Sequence, residues 1–190
     1  MDNASRSERT RGAILQAALA IIARDGPGRL TLDAIARECG ISKGALTHQF
    51  RSKVAVLEAL LRHQTAQFED FAARHAAALG RERAQPYLAT QIATMREALS
   101  SPQNAAFALC GALAEEPALL APIRDLSAEK LRALRQEAAD PDLATLRWLA
   151  ARGLLMGELL GVCPLGEAER DRLFDRLLDE RCWPPAPGGG

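Results

Sequence analysis

The side chains best suited to chemistry cluster between Thr31 and Lys53, where Lys43 and Lys53 carry positive charge and Thr47, His48 and Gln49 stand in consecutive positions. Ammonium groups suit phosphate oxygens, and hydroxyl, imidazole and amide groups suit phosphates or base edges. Ala45 offers a methyl that can meet a thymine methyl, and Gly44 is small enough not to obstruct. Thr31 and Ser42 each precede a helical run, where a hydroxyl accepts an orphan backbone N–H. The N–H groups that remain at such a helix start also favour phosphate. The chemistry these residues imply is recognition of double-stranded DNA, with Thr31, Ser42, Lys43, Gly44, Ala45, Thr47, His48, Gln49 and Lys53 as the contact set.

Catalytic chemistry finds no such support. The chain has no G-x-S-x-G, no phosphate-cradling glycine loop and no H-E-x-x-H. Its acidic neighbours, Glu115-Glu116 and Asp140/Asp142, adjoin prolines where helix caps account for them. Cys39, Cys110, Cys163 and Cys182 are widely spaced, without C-x-x-C or a histidine at metal-ligand spacing, so they read as thiols in a reducing compartment. No enzyme, metal or cofactor is expected. The N-terminus is too polar for a secretory signal, and the longest apolar run, Leu154 to Val162, is interrupted by Glu158 and too short to span a bilayer. A cytoplasmic protein without membrane association is the expectation.

The elements that would position the contact set are helices. Leu32, Ile35, Ala36 and Cys39 form one apolar face at spacings of three and four, and Gly40 stands where a left-handed cap closes that helix. The next helix starts after Ser42 and turns Leu46 and Phe50 inward. Ile14, Ala18, Ile21 and Ile22 define a supporting helix ahead of Asp25-Gly26-Pro27-Gly28. The polar stretch before it reads as a mobile arm, whose Arg6, Arg9 and Arg11 are either phosphate contacts or a solvated tail. Arg51-Ser52-Lys53 opens a linking helix with Leu57, Leu61, Phe68 and Phe71 along one stripe; His63 and His75 on it are expected in solvent.

The rest reads as helical too. Leu88, Ile92, Met95 and Leu99 mark one helix, and Ala106, Leu109, Cys110 and Leu113 another. Leu119 to Leu134 mark a third, and the last two run about 143–162 and 167–180. Formal net charge is zero, yet ten basic against six acidic residues through Arg62 leave about +4 at the N-terminal end and −4 beyond it. The fold class is therefore all-α: an N-terminal three-helix, helix-turn-helix domain (8–68), a C-terminal helical domain (69–182), and a disordered tail (183–190).

LTLDAIARECG followed by ISKGALTHQF and RSK resembles the helix-turn-helix of TetR-type (tetracycline-repressor-like) bacterial transcription regulators, through Ala36, Gly40, Ser42, Leu46, His48, Phe50, Ser52 and Lys53. It departs from that pattern at Thr47, where the family usually has tyrosine, a frequent phosphate contact, and at Gln49, where an aromatic or histidine is common. The resemblance implies a repressor of a palindromic operator, released by a small-molecule effector. The alternatives are an activator, or a ligand-independent helix-turn-helix architectural protein. It also implies that 69–182 is a dimerisation and ligand domain with an effector pocket between the central helices, for which Gln91, Met95, Phe107, Cys110, Leu113 and Met156 are candidates, with Arg96 and Glu115 as further polar anchors. So aliphatic a lining suits a mainly apolar ligand.

Residues of the last two helices suggest a homodimer. Gly153, Gly157 and Gly161 recur every four positions, and each glycine costs a helix about 1 kcal/mol relative to alanine. Close approach of another backbone would offset that cost. By resemblance these helices form a four-helix interface with a second subunit, whose expected seam is Trp148, Leu149, Gly153, Gly157, Leu160, Leu173, Phe174 and Leu177.

Overall fold

The computed structural model describes residues 3–80, 83–100 and 116–184. Eight α-helices are present among them: α1 (Asn3–Asp25), α2 (Leu32–Cys39), α3 (Lys43–Gln49), α4 (Lys53–Ala78), α5 (Pro86–Ser100), α6 (Leu120–Glu137), α7 (Pro141–Leu159) and α8 (Glu167–Leu178). Short 3-10 turns occupy Pro27–Arg29, Pro117–Leu119 and Glu180–Cys182, and no strand occurs among the described residues. The described residues fall into two compact units, divided within α4 between Ala66 and Gln67, with Glu116–Ala121 belonging to the first.

In the first unit, α1 continues through Gly12 and ends at Asp25, before Gly26, whose φ of +83° turns the chain into Pro27–Arg29. The polar start expected to be a mobile arm is thus helical from Asn3. Ile14, Ala18, Ile21 and Ile22 of α1 are buried together with Leu30, Ile35, Leu46, Phe50, Val56, Leu57 and Leu60. Periodicity turns most of these inward, but on α4 the buried positions beside Leu57 are Val56 and Leu60, whereas Leu61, Phe68 and Phe71 of the expected stripe are only half-buried. Arg24, at the last turn of α1, pairs with Asp25 and with Glu38 of α2, each at 3.0 Å. Its hydrogen bond holds the Glu38 carboxyl below the usual carboxylate range, but so exposed a pair adds little stability.

The second unit is built around α5, in which every residue from Leu88 to Thr94 is buried. Leu88 and Ile92 pack with Leu134 of α6, Ala144, Trp148 and Ala151 of α7, and Phe174 and Leu177 of α8. The buried hydroxyls are satisfied locally: Thr94 donates to the Thr90 carbonyl at 2.8 Å, and Thr90 shares a 3.3 Å hydrogen bond with His75 Nδ1. His75, expected in solvent, is therefore partly buried and also stacks on Phe71. The helix start of α5 is capped from elsewhere in the chain. Glu137 accepts from the N–H groups of Tyr87 and Leu88 at 2.8 and 3.1 Å, and Glu180 accepts from those of Ala84 and Gln85.

Helix α7 starts where the acidic-proline pattern places a cap, with Asp140 accepting from the Leu143 N–H at 2.9 Å. It ends at Leu159, earlier than the apolar run suggests, because Gly161 takes a φ of +66°. The Gly161 N–H then donates to Glu158 and that of Val162 to Gly157, the paired bonds of a left-handed helix closure. Gly161 accordingly belongs to the end of the helix and not to a row of close approach. Arg147 is almost wholly buried and donates to the Leu177 carbonyl and Gln85 Oε1, at 2.7 and 2.8 Å. Its guanidinium lies 5.7 Å from the ring of Trp183, whose indole N–H donates to the Arg176 carbonyl at 2.7 Å. Trp183, expected to fray with the tail, is instead held against the body core.

Candidate nucleic-acid interface

Two caps and one glycine shape the α2–α3 unit. Thr31 Oγ1 accepts from the Ala34 N–H and Ser42 Oγ from the Ala45 N–H, both at 3.1 Å. Each such cap is worth about 1 kcal/mol. Between them Gly40 adopts φ +66°, ψ +29°, with the Ile41 N–H donating to Ala36 and the Gly40 N–H to Arg37. That closure, which a side chain would strain, makes the turn tight. Helix α3 buries Leu46, and Phe50 just beyond it is 2 % exposed. Lys43, Gly44, Ala45 and His48 remain exposed, with Thr47 and Gln49 at the margin.

The hydrogen bonds of this row separate its members. Lys43 Nζ lies 2.9 Å from Asp33 Oδ1, so the ammonium rests in an exposed ion pair with α2 that a phosphate can replace at little cost. Thr47 donates its hydroxyl to the Gly44 carbonyl at 3.1 Å, which leaves its oxygen as an acceptor. Lys53 Nζ, half-buried, donates to the Pro27 carbonyl at 3.2 Å and ties the start of α4 to the turn after α1. Gln49 donates its amide nitrogen to Ser7 Oγ at 3.0 Å. The guanidinium of Arg11, one turn along α1 from Ser7, sits 4.4 Å from the ring centroid of Phe50. Sequence reasoning missed both α1 contacts, because a polar stretch without apolar period carries no sign of what it touches. Cys39 is half-buried, its thiol donating to the Ala13 carbonyl at 3.6 Å, and burial raises its pKa.

The seam residues divide. Trp148, Phe174 and Leu177 are buried in the core of their own body. Periodicity could not tell the two faces of α7 apart, since both are apolar. Leu149, Leu160 and Leu173 are exposed, and with them Leu146 (63 %) and Val162 (70 %), which sequence reasoning left out. At Gly153 a Cβ would meet nothing within 4 Å, whereas at Gly157 it would lie 3.6 Å from Cys163 Cβ, an ordinary contact.

Of the pocket candidates, Gln91 is buried on α5, Met95 packs against the body core and Met156 is half-buried; Phe107, Cys110, Leu113 and Glu115 lie outside the described residues. Arg96 faces α8 instead, pairing with Asp175 at 2.7 Å and Asp171 at 3.5 Å.

The described residues thus comprise a capped helix-turn-helix and a helical body, and the same division appears among known proteins. Residues 14–60 match the family described as bacterial regulatory proteins, tetR family, and residues 81–180 match the tetracyclin repressor-like C-terminal domain. The chain belongs to the TetR family, whose members are transcription regulators and not enzymes. It is similar to the HTH-type transcriptional regulator SrpR of Pseudomonas putida, 35% identical over 105 residues. That match covers 55% of this chain and 46% of SrpR, so the chain spans about half the length of this curated relative. TtgW, an uncharacterized HTH-type transcriptional regulator also of Pseudomonas putida, is 34% identical over 105 residues, covering 55% of this chain and 73% of that one. Among solved structures, the multidrug binding protein EbrR complexed with malachite green shares the fold at a TM-score of 0.67 and 24% identity, over 88% of this chain and 96% of that one. The SmeT–triclosan complex does so at 0.59 and 21%, over 88% and 90%. No helix among the described residues is long and apolar enough to cross a membrane.

Proposed function

We propose that the protein is a cytoplasmic homodimeric repressor that occupies a near-palindromic operator through α3 and releases it when a small, mainly apolar effector binds the body. In this reading the DNA-binding domain runs from about residue 8 to 68, and the helical remainder carries the partner and the ligand. The observation that carries it is the polar row Lys43, Gly44, Ala45, Thr47, His48 and Gln49 standing outward over buried Leu46 and Phe50, on a helix held by Ser42 and the Gly40 turn. Lys43 supplies a phosphate contact, and His48 and Gln49 supply donors for phosphate or base edges.

The dimer rests on a second observation. Leu146, Leu149, Leu160, Val162 and Leu173 are exposed on α7, on α8 and on the chain between them, where Gly153 leaves room for a second backbone. A two-fold axis through that face would give the dimer two copies of α3, one for each half-site of a near-palindrome. Ligand control draws on structural neighbours bound to malachite green and triclosan.

Selection from a random double-stranded DNA pool, followed by titration against salt, tests the reading. A palindromic consensus whose affinity falls steeply with salt is expected, as counterions are released on binding. No enrichment would contradict it.

A further inference from the structure

Gln49, at the end of the outward α3 row, is hydrogen-bonded to α1: its Nε2 donates to Ser7 Oγ at 3.0 Å, across 42 residues of sequence. Four residues further along α1, Arg11 stacks 4.4 Å from the ring centroid of Phe50, the residue after Gln49. Residues four apart on a helix lie on one face. A single face of α1 therefore grips two consecutive residues at the end of α3, one through its ring and one through its amide. The ring contact lies at the C-cap of α3, and the amide contact orients Gln49.

The second point bears on specificity. The last torsion of a glutamine is broad, so an unrestrained amide samples many orientations and loses that freedom when it meets a base. An amide has two N–H groups and one carbonyl oxygen. One N–H spent on Ser7 leaves the other and the carbonyl, which is the donor–acceptor pair that glutamine presents to adenine. A bond to a fixed hydroxyl thus orients the amide without using up its capacity to read.

We propose that Ser7 of α1 is a positioning residue for DNA readout: it orients the Gln49 amide, and so sharpens base preference without itself touching a base. This rests on the reading of α3 as the recognition helix. Ser7 is exposed and its removal opens no cavity, so Ser7→Ala is expected to fold as the parent does.

The test is a double-mutant cycle on the full-length protein. Sequences are selected from a random duplex pool for the parent, Ser7→Ala, Gln49→Ala and the double variant, and affinities are then measured on the consensus and its single-base-pair variants. Ser7→Ala is expected to lower discrimination about three- to tenfold at one base pair per half-site, the same pair that Gln49→Ala affects. It should have no further effect in the Gln49→Ala background, should leave the salt slope unchanged, and should be rescued by Ser7→Thr. The proposal is overturned if Ser7→Ala weakens all sequences equally, if it acts in the Gln49→Ala background, or if Gln49→Ala leaves base preference unaltered. If the parent enriches no sequence, the recognition-helix reading fails and this proposal with it; if the parent enriches a consensus that ignores Ser7, only this proposal fails.

Discussion

Among the described residues of the first unit no large apolar side chain is left exposed, whereas in the second Leu146, Leu149, Leu160, Val162 and Leu173 all are, on α7, α8 and the connection between them. Each unit also uses a glycine with φ +66° to end a helix, Gly40 after α2 and Gly161 after α7. The closures are alike, and the surfaces next to them are opposite. Beyond Gly40 come Ser42, Lys43 and a polar row fit for a hydrated polyanion; beyond Gly161 come Val162 and an apolar face fit for another apolar face. The same local device thus adjoins two opposite kinds of surface, and the side chains around it decide which.

Substitutions can break this contrast, and the largest effect is expected in the first unit's core. Leu46→Ala removes a fully buried side chain from beneath the polar row, and should cost about 2–5 kcal/mol in chemical denaturation. A loss below 1 kcal/mol would show that α3 is not anchored as described. Gly40→Ala forces a side chain into the left-handed region, at about 1–2 kcal/mol, and Gly161→Ala should cost the same by the same measurement.

Gly153→Ala should go the other way. Its Cβ meets nothing within 4 Å in the subunit, so a helix preference of about 1 kcal/mol stabilises the isolated chain, while the dimer weakens in sedimentation. Unchanged association would remove Gly153 from the interface.

The smallest expected effect is one of pH. Burial, with a lesser contribution from Arg83, lowers the pKa of His75 beneath its ordinary value. The unfolded chain then binds the proton more readily, so this contribution is complete above the unfolded pKa of about 6.5 and is lost as pH falls through the folded value. Denaturation at pH 7.5 and pH 5.5 should show a smaller loss for His75→Gln than for the parent; equal losses would exclude His75 as a source.

Much of the first unit was legible in the sequence, because its instructions are local. Thr31, Gly40 and Ser42 act within a few residues of themselves, and Leu46 with Phe50 needs only helical spacing. The body was legible as helices but not as faces. In α7 apolar residues surround most of the helix, so Trp148 and Leu149 read alike although one is buried and the other exposed. Gly161 followed the spacing of Gly153 and Gly157, yet its backbone angle assigns it to the helix end. Long-range contacts left no periodic trace: neither Ser7 with Gln49 nor Arg147 with Trp183 could be paired from spacing.

The central claim is that the apolar face of the body pairs two polar reading heads. Its most direct test is analytical ultracentrifugation of the parent and of Leu149→Glu/Leu160→Glu, alone and with duplexes carrying one or two half-sites. The account predicts a parent dimer that binds the two-site duplex as one dimer, and a folded, monomeric variant, helical by circular dichroism, that binds it no more tightly per site than the single site. A variant that remains dimeric, or a parent that is monomeric on DNA, would contradict it.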